Sequence, residues 1–200
     1  MTQKTLVIDL DRCIGCMACE MACKQEHGIA LGVFYNRVHH IGPQGEFPNI
    51  KQFFIPTVCQ VCRDAPCVAV CPTKATYRTE DGQIMIDKEK CIGCRACMQA
   101  CPYGARSFNP ATKVVEKCTL CNHLTAVGEK PACVKVCCAH ARFFGDLDDP
   151  QSDVSKALAA AGEENVHAMP DVGNKPTVRY ILHKENGTWP AKPPKMSDPR

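Results

Sequence analysis

Sixteen of the seventeen cysteines fall into four groups of four. They are Cys13, Cys16, Cys19 and Cys23; Cys59, Cys62, Cys67 and Cys71; Cys91, Cys94, Cys97 and Cys101; and Cys118, Cys121, Cys133 and Cys137. Every group opens with C-x-x-C and closes with C-x-x-x-C. Thiolate sulfur is a soft ligand, so the pattern reads first as metal binding. Zinc prefers two separated pairs at tetrahedral corners. CIGCMACEMAC and CIGCRACMQAC each put four thiols within eleven residues, too crowded to surround one small ion. Disulfides suit a secreted framework, and cysteines this dense disfavour them. A 4Fe–4S cubane fits best, because three closely spaced thiolates reach three irons from one loop while the fourth ligates another cluster. That exchange needs motifs in pairs, which is why the chain writes CIGC twice.

Pro72 and Pro102 follow the last cysteines of the second and third groups, as in the bacterial ferredoxin run. Lys24 and Cys138 hold those places in the first and fourth. Gly15 and Gly93, inside the motifs, can turn backbone N–H groups toward the sulfurs. Nineteen residues, Pro72 to Lys90, separate the second and third groups. Within them TYRTEDGQIMIDKEK reads as strand, Asp81-Gly82 turn, strand. A two-cluster ferredoxin places such a hairpin between its motifs. The first and fourth groups would then pair around the outside, with TLVID before Cys13 and ARFFGD after Cys137 meeting in one sheet. A tandem pairing, first with second and third with fourth, is the alternative.

The elements around the cysteines must be modest. The chain has 200 residues, only 6% aromatic, and its 45% hydrophobic content counts the cysteines themselves. Cofactors are therefore expected to fill much of the interior. Residues 24–58 read as a long insertion with one strand, KQFFIPTV, and residues 122–132 as a shorter one, both serving as packing or partner surfaces. Asp149 as cap, Pro150 at the first helical position and Gly162 at the stop predict a helix over 150–161. KPTVRYIL reads as a strand. The last fifteen residues, NGTWPAKPPKMSDPR, hold four prolines and read as a free tail or as an arm that wraps a partner through Trp189. Four segments follow: 1–58, 59–110, 111–148 and 149–200.

The opening MTQKTLVIDLDRC predicts no cleavable secretory or twin-arginine signal, and no apolar run is long enough to span a membrane. The formal charge of +3 comes without a basic run interleaved with aromatics, which argues against nucleic acid. Four oxidised cubanes would add about −8. Arg12, Lys24, Arg63 and Arg95, beside the ligands, are candidates to offset that charge, or are simply solvated. With sixteen cysteines completing four clusters, the seven histidines are not needed as ligands.

CIGCMACEMAC, CQVCRDAPCVAVCP, CIGCRACMQACPYGA and CTLC…PACVKVC together resemble the four-cluster iron–sulfur subunit of the dimethyl sulfoxide reductase group of molybdopterin oxidoreductases. GDLDDPQSDVSK followed by KPTVRYIL looks most like the polysulfide, thiosulfate and arsenate reductase branch. The likeness covers roughly residues 5–183. It implies an α+β fold of two nested ferredoxin-like modules related by a pseudo-twofold, each binding two 4Fe–4S clusters. It also implies the ligand sets Cys13, Cys16, Cys19 and Cys137; Cys23, Cys118, Cys121 and Cys133; Cys59, Cys62, Cys67 and Cys101; and Cys71, Cys91, Cys94 and Cys97. With every iron ligated by thiolate, the protein would conduct electrons and do no bond chemistry. The implied partner is a molybdenum or tungsten bis-pterin catalytic subunit, with a membrane quinol subunit as a frequent third member. Its place would be peripheral at the cytoplasmic membrane, on the periplasmic side if exported on the partner's signal and cytoplasmic otherwise. A formate dehydrogenase or hydrogenase subunit and a freestanding polyferredoxin are the rival readings. Cys138 stands where the family usually has Pro, and is expected to be an inert buried thiol or else an alternative ligand.

Overall fold

The computed structural model describes residues 2–199; Met1 and Arg200, which open and close the first and last expected segments, lie outside the described residues. The elements are short and mixed, giving an α+β fold. In chain order they are β1 (Lys4–Asp9), α1 (Ala18–His27), β2 (Asn36–Gln44), β3 (Lys51–Val58), α2 (Pro66–Ala69), β4 (Thr76–Arg78), β5 (Ile84–Ile86) and α3 (Ala96–Gln99). Then come β6 (Ser107–Asn109), β7 (Val114–Glu116), α4 (Asn122–Thr125), α5 (Ala132–Lys135), β8 (Arg142–Asp146), α6 (Asp153–Ala161), β9 (Val166–His167) and β10 (Arg179–Ile181).

TLVID and ARFFGD meet as expected. β1 pairs antiparallel with β8, placing Ile8 opposite Arg142, and parallel with β10 on its other edge. β9 completes the sheet in the order β8-β1-β10-β9. The run of apolar residues in β1 has no alternation because both faces are covered. Leu6 and Ile8 join the main core with Ile55 and Tyr180, while Val7 packs with Val154 of α6. Burial of each such aliphatic side chain stabilises by about 1.5–3 kcal/mol. The expected hairpin between the second and third groups is β4–β5, and Gly82 in its turn has φ +81°. Lys4 ties that turn to the main sheet, through its N–H to the Asp81 carbonyl (2.9 Å) and its ammonium to the Asp81 carboxylate (2.8 Å).

Three expectations change. KQFFIPTV is β3, residue for residue, but the insertion holds a second strand, β2, paired antiparallel with it. The Gly-Pro and paired histidines of NRVHHIGPQ mask its alternation in the sequence. The C-terminal helix starts at Asp153, not at 150; Ser152 caps it by accepting the Ser155 N–H, and Asp149 instead closes the preceding turn through the Gln151 N–H. The proline-rich arm neither dangles nor reaches outward. Trp189 stacks parallel to His167 at 5.1 Å and lies 5.3 Å from Tyr180, and Met196 is buried in the main core. The aromatic face that would have anchored a partner is used on β9 and β10 of the same chain.

Candidate metal centres

All four C-x-x-C segments share one backbone device. Their third residues, Gly15, Val61, Gly93 and Leu120, have φ of +67°, +45°, +67° and +52°. This left-handed turn swings backbone N–H groups toward the sulfurs, as the Gly15 N–H does toward Cys13. Glycine is required at two of the four positions. A Cβ on Gly15 would lie 2.4 Å from the Phe54 ring, and one on Gly93 would lie 2.3 Å from the Lys113 carbonyl oxygen. Val61 and Leu120 hold the same turn with side chains, at a cost of order 1–2 kcal/mol each. The third cysteine of each group then sits at the second residue of a helix: Cys19 in α1, Cys67 in α2, Cys97 in α3 and Cys133 in α5. After the fourth cysteine the chain turns back, and the Thr76 and Ala141 N–H groups point at Cys71 (3.5 Å) and Cys137 (3.3 Å).

Cysteines from different groups are brought together. Cys13, Cys16, Cys19 and Cys137 line one small cavity, closed by Ile8, Val38 and Pro56. Cys59, Cys62, Cys67 and Cys101 line a second, and Cys71, Cys91, Cys94 and Cys97 a third. Cys23 faces Cys118, Cys133 and Cys121; burial and these three thiols push its own thiol far above the ordinary range. We name these the Cys16, Cys62, Cys94 and Cys121 sets. All seventeen cysteines are free. Among the described residues no group of three or more Cys, His, Asp or Glu side chains closes on a single metal ion. Four thiols around a cavity, with backbone N–H groups aimed at sulfur, fit a cubane, which holds its ligands wider apart than one ion does.

The thiols are held out of water. Burial, and the nearby Cys59 and Cys133, raise Cys118 to about 12. Burial raises Cys62 to about 12 even though the Asn174 amide donates to its sulfur at 3.0 Å. Burial pushes Cys71 upward too, but the Thr76 N–H and Thr73 hydroxyl outweigh it and leave that thiol below its ordinary value. The four basic residues expected to offset cluster charge are committed elsewhere. Arg12 pairs with Asp9, Arg63 with Asp148, Lys24 bonds the Val33 carbonyl, and Arg95 lies over the Phe108 ring. Two arginines that sequence reasoning passed over are the buried ones. Arg106 lines the Cys62 cavity and Arg142 the Cys16 cavity. Burial disfavours the charge of each, but for Arg106 the neighbouring Cys67 and Cys97, and for Arg142 Cys19, Cys133 and Cys13, more than compensate and raise the pKa. Each stands five residues after the last cysteine of its group, the one signal that could have found them. His27, whose Nε2 lies 3.3 Å from the Cys121 sulfur, and Asn174 had no such signal. Cys138 is exposed rather than buried and lies against Cys16.

A family model described as a 4Fe-4S dicluster domain matches residues 50–147, and one described as a 4Fe-4S binding domain matches residues 4–25. A protein of Halobacterium salinarum, provisionally named as the iron–sulfur subunit of a dimethyl sulfoxide reductase, is 43% identical over 98% of this chain and 85% of its own. This protein belongs to the family of iron–sulfur electron-transfer subunits of oxidoreductases. A sulfite dehydrogenase subunit of Allochromatium vinosum is 42% identical over 92% of this chain and 85% of its own. A polysulfide reductase chain of Wolinella succinogenes is 39% identical over 91% and 95%. As a member of this family the protein binds 4Fe–4S clusters, and the zinc reading falls. Its work is electron transfer, not catalysis.

Proposed function

We propose that the four cysteine sets hold four 4Fe–4S clusters in nested pairing, and that the protein relays electrons through them between a molybdenum or tungsten pterin catalytic subunit and a quinol-oxidising membrane subunit or another redox partner. The observation that carries this is the mixing of groups: the Cys16 cavity joins the first group to the fourth, and the Cys62 and Cys94 cavities join the second to the third. The clusters would supply one-electron relay sites, with all four thiolates of each set occupied. The residues of the chain position and insulate those sites. Cys19 and Cys133 lie together between the Cys16 and Cys121 sets, Cys118 and Cys59 between the Cys121 and Cys62 sets, and Cys67 and Cys97 between the Cys62 and Cys94 sets. This gives a continuous order from Cys16 to Cys94, and those two cysteines are exposed.

In this reading the inner unit is 59–110, the outer unit is 1–58 completed by 111–148, and 149–200 is the C-terminal support. No helix among the described residues is long and apolar enough to cross a membrane, so attachment would be peripheral, through the partner. Iron and acid-labile sulfide analysis of anaerobically purified protein tests the proposal. About sixteen irons per chain are expected, and fully loaded protein with eight or fewer would end it.

A further inference from the structure

Arg106 and Arg142 are both 5% exposed, and both occupy the fifth position after a closing cysteine, Cys101 and Cys137. Their surroundings match. Arg106 faces Cys67 of the Cys62 set and Cys97 of the Cys94 set. Its Nη1 donates to the Thr76 hydroxyl (3.3 Å), and Thr76 lines the Cys94 cavity. Arg142 faces Cys19 and Cys13 of the Cys16 set and Cys133 of the Cys121 set. Its Nη2 donates to the Asn36 side-chain oxygen (2.9 Å). In each guanidinium one nitrogen has no oxygen acceptor, Nη2 of Arg106 and Nη1 of Arg142, and what each guanidinium meets instead is thiol sulfur, Cys67 and Cys97 for Arg106 and Cys133 for Arg142. Two buried guanidiniums turned to thiols at equivalent positions call for a common explanation. A buried arginine is also costly unless it meets negative charge.

We propose that Arg106 and Arg142 are paired tuning residues, each a fixed positive charge set between two clusters, which raises the reduction potentials of both and lets neighbouring clusters accept electrons despite their mutual repulsion. The proposal rests on the nested ligand sets. A guanidinium suits the task because it stays protonated and its fork presents several donors to acceptors on two sides. An electron added to either flanking cluster increases the negative charge beside it, so the reduced state gains more from the arginine than the oxidised state does. Arg106 serves the Cys62 and Cys94 sets, and Arg142 the Cys16 and Cys121 sets.

The test is an EPR-monitored redox titration of the intact protein, with iron content measured on each sample. The unsubstituted protein is titrated first; fewer than four clusters there is a failure of the nested reading and not of the arginine assignment. With four present, Arg106→Gln is expected to shift two midpoint potentials downward and leave the other two in place. Arg142→Gln should shift the complementary two. Arg106→Lys and Arg142→Lys, which keep the charge and lose the fork, should recover most of each shift. Unchanged potentials in loaded Gln variants overturn the proposal, as does an equal shift of all four. Equal shifts in Gln and Lys variants would assign the effect to the fork's packing, and iron lost from both would make the arginines structural; either result also overturns it.

Discussion

The inner and outer cysteine groups reach the same local geometry by different routes. Between Cys71 and Cys91 the chain needs only the β4–β5 hairpin, whose strands are three residues each. Between Cys23 and Cys118 it makes both inner groups, the β2–β3 ribbon and the β6–β7 hairpin. The outer groups are then held by the four-stranded sheet, where β1 and β8 meet, and the Cys16 cavity is closed by Val38 and Pro56 from the ribbon. The loop that aims thiols is thus encoded within a dozen residues and repeats almost unchanged. The shelter around it is encoded far away and differs for each set. Long-range closure costs more chain entropy, so the outer groups depend more on the rest of the fold.

The comparison breaks most sharply at a ligand that crosses between groups. Cys101→Ser is expected to disturb the Cys62 set, to a three-iron form or to loss of that cluster, while the Cys94 set keeps all four thiols. EPR of the reduced and oxidised variant reads this directly. A change that maps instead to the site of Cys118 and Cys121 would mean that the groups pair in tandem.

A smaller effect separates local from distant support. Trp189 is half-buried on His167 and Tyr180, beside the sheet that holds the outer groups. Trp189→Ala should cost about 2 kcal/mol, less than the 3–5 kcal/mol of a fully buried tryptophan. For a protein of this size that lowers Tm by several degrees, at about 2–4 °C per kcal/mol. The outer clusters should bleach before the inner ones on warming. Simultaneous loss of all four would show that the two regions unfold as one.

These contrasts mark what could be read from the sequence. The cysteine motifs, the DG turn and three strands of the main sheet, β1, β8 and β10, were legible, because each is a local pattern with a local cause. The β2 strand was not, since Gly42, Pro43 and its histidines obscure the alternation, and the turn of α1 through Lys24–His27 was hidden in the same insertion. The arm was misread because proline content predicts extension but not what the extended segment lies against. Arg106 and Arg142 went unseen for a different reason. Residues adjacent to ligands in sequence draw attention, yet a side chain five positions on, past a tight turn, is the one that returns to the cavity.

Loading should also distinguish the sets by pH. Thiols with raised pKa are protonated at neutral pH and must release protons to bind iron, so loading of their sets is favoured as pH rises. Burial raises Cys23 and Cys118 in the Cys121 set and Cys62 and Cys101 in the Cys62 set. In the Cys94 set burial raises Cys97, but hydrogen bonds hold Cys71 below its ordinary value, so that set has less to gain. Reconstitution of iron-free protein at about pH 7 and about pH 8.5 should therefore speed the Cys121 and Cys62 sets more than the Cys94 set. Equal acceleration would show that the thiols of the unloaded protein are more exposed than they are here.

The smallest difference concerns the two exposed cysteines of the proposed ligand sets. Cys16 and Cys94 are the second cysteines of their motifs, on loops with matching backbone, Gly15 and Gly93 both at φ +67°. What differs is the neighbour. Cys138, which follows the closing cysteine Cys137, lies against Cys16, whereas Pro72 follows Cys71, the closing cysteine of the Cys94 set. A thiol so placed is the candidate to stand in for Cys16. Cys94→Ser is therefore expected to cost iron from its set, while Cys16→Ser keeps most of its own. Cys138→Ser alone should leave iron content unchanged, since the four regular ligands remain. The double variant Cys16→Ser with Cys138→Ser should then behave like Cys94→Ser. Iron analysis across the four proteins checks the cycle. If Cys16→Ser loses as much iron as the double variant, Cys138 is a bystander, and the two ends of the relay are alike in ligation as well as in backbone.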